Sequence, residues 1–91
     1  MVVLTWDPPK RHANLDKHGF DFEDVYWFDW ANAVIVDARP DGFGRPRRKA
    51  IGFLDGHAVA IIFAPLGSEA LAIISFRPAK LKERLLAHGK R

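Results

Sequence analysis

The pair Asp55-Gly56 stands between two runs of strand-forming residues and dictates how they meet. A two-residue type I′ turn needs positive φ at both central positions, which glycine adopts freely and aspartate tolerates. The pair therefore predicts a tight hairpin joining 47–54 to 57–64. The second arm is apolar on both parities, with Val59, Ile61 and Phe63 on one side and Ala60 and Ile62 on the other, as in a strand covered on both faces. Two further strands suit its flanks. Val34, Ile35 and Val36 are β-branched and lead into a polar loop over 39–46, while 70–76 returns as a neighbour of the second arm after a turn at 65–68. The β-branched run at 2–5 makes a short first strand.

Helices frame this sheet. Asp7, Pro8 and Pro9 form an N-cap and first-turn entry to a helix ending near His18, with Gly19 just past its end. Asp21 is a second N-cap, stapled by Phe20 and Val25, for a helix through about Phe28 whose Phe22, Val25 and Tyr26 share a face. Trp27 and Trp30 lie off that stripe, as interface residues or as core. Pro78 opens a last helix through about His88, where Leu81 and Leu85 are i, i+4 partners and Gly89 is a stop. The whole is expected to be one α+β domain over 1–91, with N-terminal helices packed on an antiparallel sheet and a closing C-terminal helix. Ninety-one residues, 48% of them apolar, can bury one modest core and not two.

Charge narrows the class of partner. The first thirty residues carry three lysines and arginines against six acids, a net −3, and the remaining sixty-one carry eleven against five, a net +6. Positive charge gathers at Arg39, Arg45, Arg47, Arg48 and Lys49, then again from Arg77 onward. Such a field favours a polyanion, nucleic acid foremost, with a solvated basic surface as the plain alternative. The chain has no cysteine, which excludes disulfides and thiolate chemistry. Its most apolar stretch, 58–66, is too short to span a bilayer and contains Pro65, and no signal peptide is visible, so a cytoplasmic location is expected.

Three stretches resemble the BrnT toxin family. Trp6-Asp7, Lys10, Asn14-Leu15, Lys17-His18-Gly19 and Asp21-Phe22-Glu23-Asp24 are similar to its WDxxKxxxNxxKHGxxFEDA opening. Gly44, Arg47 and Gly52 resemble its GExR…IG segment, and Ile74-Ser75-Phe76-Arg77-Pro78-Ala79 with Glu83 is similar to its ISARxAxxxE end. The resemblance implies a RelE-like fold and RNA cleavage without metal or organic cofactor. It also implies arrest of translation, and neutralisation by a BrnA-type antitoxin in a hetero-oligomer. Arg45 stands where the family has glutamate and Phe76 where it has alanine. A guanidinium stays protonated and cannot replace a carboxylate base, so an RNA- or antitoxin-binding module without catalysis is the alternative.

Metal-free RNA cleavage needs a base for the 2′-hydroxyl, cationic donors for the developing pentavalent phosphate and an acid for the departing 5′-oxygen. Arginine suits the second role because its planar fork meets phosphate oxygens bidentately. Arg47 and Arg77, each at a strand end beside a loop, are the candidates, expected to meet on one side of the sheet around one phosphodiester. Their plain alternatives are a solvated edge-strand arginine for Arg47 and a helix-start ion pair with Glu83 or Asp29 for Arg77. His18, within the matched segment, is the candidate acid or base, or simply a cation at the helix end. Arg39, Arg45, Arg48, Lys49, Lys80 and Lys17 would bind or steer RNA, and strand parity points Arg47 and Lys49 one way and Arg48 the other. His12, His57 and His88 read as surface residues, and no spacing suggests a metal site. Asn14 is assigned a structural role, capping or bridging elements. Phe43 would stack on a base or pack within its loop, and the acidic first third with Trp27 and Trp30 would receive an antitoxin.

Overall fold

The computed structural model describes residues 2–90. In chain order the elements are β1 (Val3–Thr5), α1 (Pro8–His18), two 3₁₀ segments (Phe22–Trp27 and Trp30–Asn32), β2 (Val34–Ala38), β3 (Arg47–Leu54), β4 (His57–Leu66), β5 (Ala70–Pro78) and α2 (Leu81–Lys90). The hairpin forms where the Asp-Gly pair places it. Leu54 lies opposite His57, and the turn residues Asp55 and Gly56 have φ of 49° and 80°. The sheet runs β1-β5-β4-β3-β2, an α+β architecture with β4 at its centre.

Three local expectations change. The sheet is mixed, not antiparallel, because β1 pairs parallel with β5, Leu4 beside Leu71. No tight turn ties this three-residue strand to a neighbour, since α1 follows it in the chain, so no hairpin imposes an antiparallel direction. The second helix is 3₁₀ rather than α. Its apolar residues Phe22, Val25 and Phe28 recur every third position and all are buried, which a three-residue turn places on one line. Tyr26 consequently leaves the core, and its hydroxyl accepts the Leu4 N–H at 3.3 Å. Asp21 caps this segment as expected, accepting the Glu23 N–H at 3.1 Å. Finally, Pro78 ends β5 opposite Val59 instead of opening α2. The helix starts at Leu81 because Glu83 reaches back to the Lys80 N–H at 2.8 Å, the second half of a capping box, and it continues through Gly89.

The core lies on the back face of the sheet. Phe22, Val25 and Phe28 pack there against Ala50, Ile61 and Phe76, each large side chain contributing about 1.5–3 kcal/mol by leaving water. Trp30 belongs to this layer, edge-on to Phe28 and Phe63 at 5.0 and 5.6 Å, while Trp27 is 78% exposed. The front face is divided. α2 covers one half, burying Ala87 and setting the His88 ring 5.3 Å from Phe53, and leaves the other half open. No helix among the described residues is long and apolar enough to cross a membrane.

Candidate functional site

The open half of the front face carries a cationic groove. In β3 the alternation of side chains sends Arg47 and Lys49 forward and Arg48 backward. In β5, Ser75 and Arg77 lie opposite Ile62 and Ala60 and point forward too, and a bulge opposite Ile62 and Phe63 inserts Ile74. Two adjoining depressions lie there. One, about 380 Å³, is bounded by Lys10, Arg45 and Arg47 over a floor of Ala64, Ala72 and Ile74. The other, about 270 Å³, is bounded by Lys10, Lys17 and His18 over Ile74 and Ser75. Lys10 and Ile74 belong to both.

α1 supplies one wall by an unusual pattern. Lys10, Asn14, Lys17 and His18 stand at i, i+4, i+7 and i+8, a single helix face of the kind that is normally apolar. The residue that docks this face is itself polar. Asn14, 8% exposed, donates its amide to the Phe76 carbonyl at 2.7 Å and accepts the Phe76 N–H at 3.0 Å. Its side chain thus acts as a surrogate strand along the edge of β5 beyond β1, and its second amide hydrogen goes to the Phe20 carbonyl at 3.0 Å. Of the two structural roles expected of Asn14, capping and bridging, it performs the second.

Beyond the groove, under α2, a buried ion cluster organises two of the candidate cations. Glu83, 5% exposed, accepts two hydrogen bonds from Arg77 at 2.7 and 2.9 Å, pairs with Lys49 at 2.8 Å and accepts the Lys80 N–H. The Arg77 fork lowers the Glu83 carboxyl to about 2 against the opposing effect of burial, and Lys49 and the Lys80 N–H add to it. Arg77 therefore makes the helix-start ion pair with Glu83. Arg47 and Arg77 share the front face but are separated by four residues along β4 and two strand spacings, roughly 16 Å between their Cα atoms. They stand at different parts of the face and not side by side. His18 lies between α1 and β5, its pKa lowered by burial first, then by the charges of Lys17 and Arg77.

The remaining candidates scatter. Arg45 borders the groove but is held by Asp41, whose carboxylate accepts its Nε at 2.7 Å and the backbone N–H groups of Phe43 and Arg45. Phe43 is 87% exposed with the Arg45 guanidinium 5.3 Å from its ring, so loop packing does not bury it. Arg48 points to the back face, near Asp37 at 3.7 Å. Arg39 and Lys80 are exposed and outside both depressions. Lys10 was missed as a site residue by sequence reasoning, which quoted it only within the family-like opening and gave it no role; the polar i, i+4, i+7 stripe was the available signal.

Residues 6–83 match the family model described as the ribonuclease toxin BrnT of a type II toxin-antitoxin system. The chain belongs to the BrnT family. A crystal structure of the Brucella abortus ribonuclease toxin BrnT superposes with a TM-score of 0.72 at 38% identity, covering 88% of this chain and 99% of that one. No curated protein matches the chain. As a BrnT-family member it is a toxin of a type II toxin-antitoxin system, with an α+β fold matching that of the Brucella toxin, and its counterpart is an antitoxin protein.

Proposed function

We propose that this toxin is an endoribonuclease that cuts single-stranded RNA in the front-face groove and thereby arrests translation in the cytoplasm. The observation that carries the reading is the convergence of Arg47, Lys17 and His18 on one open groove of a sheet whose other face is filled with core. The RNA backbone lies along the groove, steered by Arg45 and Lys17. Arg47 approaches the scissile phosphate from the β3 side. Arg77, roughly 16 Å from Arg47 and held by Glu83 and the Pro78 carbonyl, acts on the groove indirectly, by fixing Glu83 at the start of α2 and by lowering the His18 pKa with its charge. His18, with a lowered pKa, is neutral at physiological pH and can take the 2′-hydroxyl proton; the resulting imidazolium can return one to the 5′-oxygen. This removes the need for a carboxylate at position 45, where Arg45 stands.

Purified protein incubated with RNA tests the reading. An Arg47→Ala, Arg77→Ala double variant should lose cleavage, and unchanged cleavage would remove both from the mechanism. A neutral His18 acting as base requires the rate to rise with pH through a histidine pKa lower than the ordinary one and to level off above it. Binding without cleavage, and no growth arrest on expression, would instead support a module that holds RNA or antitoxin without chemistry. The antitoxin is proposed to be of BrnA type, received on the acidic N-terminal third around the exposed Trp27, where an aromatic depleted of neighbouring lysines suits a protein partner.

A further inference from the structure

We infer that Lys10 is a catalytic residue of this toxin, its ammonium holding the non-bridging oxygens of the scissile phosphate at the junction of the two depressions. The inference rests on the ribonuclease reading above and adds a residue to it. Lys10 is the cation that borders both depressions, with Arg47 across one and His18 two turns further along the same α1 wall of the other. A phosphate seated over the shared Ile74 would face all three.

Three physical features combine at Lys10 and at no other cation of the groove. Among the described residues it has no ion-pair or side-chain hydrogen-bond partner, a freedom it shares in the groove with Lys17 and Arg47, whereas Arg77 and Lys49 are held by Glu83, Arg45 by Asp41 and Arg11 by Asp21. Its charge is therefore free to be neutralised by a ligand. It stands in the first turn of α1, where the helix dipole disfavours a cation and favours an acid, so its presence there costs the helix stability instead of contributing it. Its base is nonetheless fixed: Asn14, one turn further on the same helix face, is clamped to the Phe76 backbone by two hydrogen bonds. Lys10 is thus an unpaired cation on a fixed backbone, placed against the local electrostatics of its own helix and aimed over the floor of the groove. That is the arrangement expected of a donor preorganised for developing negative charge.

The test is steady-state cleavage of a labelled single-stranded RNA oligonucleotide by the wild type, Lys10→Gln, Lys10→Arg and Lys82→Gln, the last an exposed α2 cation outside the groove. Lys10→Gln should lower kcat roughly hundredfold, as loss of one transition-state donor does, with a far smaller change in KM. Lys10→Arg should recover part of the rate, Lys82→Gln should cut like the wild type, and Lys10→Gln should melt no lower than the wild type. Wild-type protein that cuts while Lys10→Gln cuts equally fast overturns this inference alone. Loss of activity that tracks a lowered melting temperature and is not recovered by arginine overturns it as well, since Lys10 would then be structural. Wild-type protein that leaves the RNA intact overturns the ribonuclease reading and this inference with it.

Discussion

Gly52 shows how one residue can be fixed by its neighbour across the core. A Cβ built there would lie 2.8 Å from Cζ and 3.1 Å from Cε1 of Phe28, whose ring is buried and cannot swing away. Gly52→Ala should therefore cost about 1–3 kcal/mol in chemical denaturation, as overpacking of a tight core does; a neutral effect would show that the Phe28 layer yields. Glu83 is fixed by charge. Glu83→Gln leaves Arg77 and Lys49 facing a neutral amide and should destabilise by about 2–3 kcal/mol at neutral pH. The carboxyl is held at about 2 in the fold against 4.5 ordinarily, so its contribution is present above pH 4.5 and disappears as pH falls towards 2. The stability gap between wild type and variant should close over that window, and a gap constant with pH would remove Glu83 from the linkage. The Glu83 pairing was one of two partners legible for Arg77 in the sequence. That Lys49 joins it was not, because Lys49 and Arg77 meet only across β4.

At the scale of elements, hydrogen bonding replaces apolar packing in one decisive place. α1 buries Asn14 among otherwise exposed or half-buried residues, so its attachment to β5 rests on the two bonds to Phe76. Asn14→Leu keeps the volume but strands a buried N–H and carbonyl, and should destabilise by about 2–4 kcal/mol, measured by urea titration. A loss below half of that would mean another contact docks the helix. The same substitution should also blunt RNA cleavage, since Lys10, Lys17 and His18 all ride on α1. The 3₁₀ segment teaches a complementary lesson. Its period of three was present in Phe22, Val25 and Phe28 all along, but Tyr26 beside Val25 satisfied a helical period as well. The choice between them shows in the burial, with Phe22, Val25 and Phe28 all inside the core and Tyr26 47% exposed.

For the whole molecule, the fold redistributes the charge of the sequence, since two of the groove's four cations come from the acidic first third. The groove gathers Lys10, Lys17, Arg45 and Arg47, so RNA affinity should fall with salt with a log–log slope of about −3, near −0.7 for each of roughly four phosphates on a single strand. A slope near zero would dissociate binding from this groove. The sequence alone determined the hairpin, the strand segments, the first helix with its glycine end and the family, because turn geometry, alternation and capping are local and act over a few residues. Tertiary structure decided the parallel direction of β1, the 3₁₀ winding, the late start of α2 and which cations remain free. Those outcomes depend on contacts between residues far apart in the chain, such as Asn14 with Phe76 or Lys49 with Glu83, and no local rule ranks one such pairing above another.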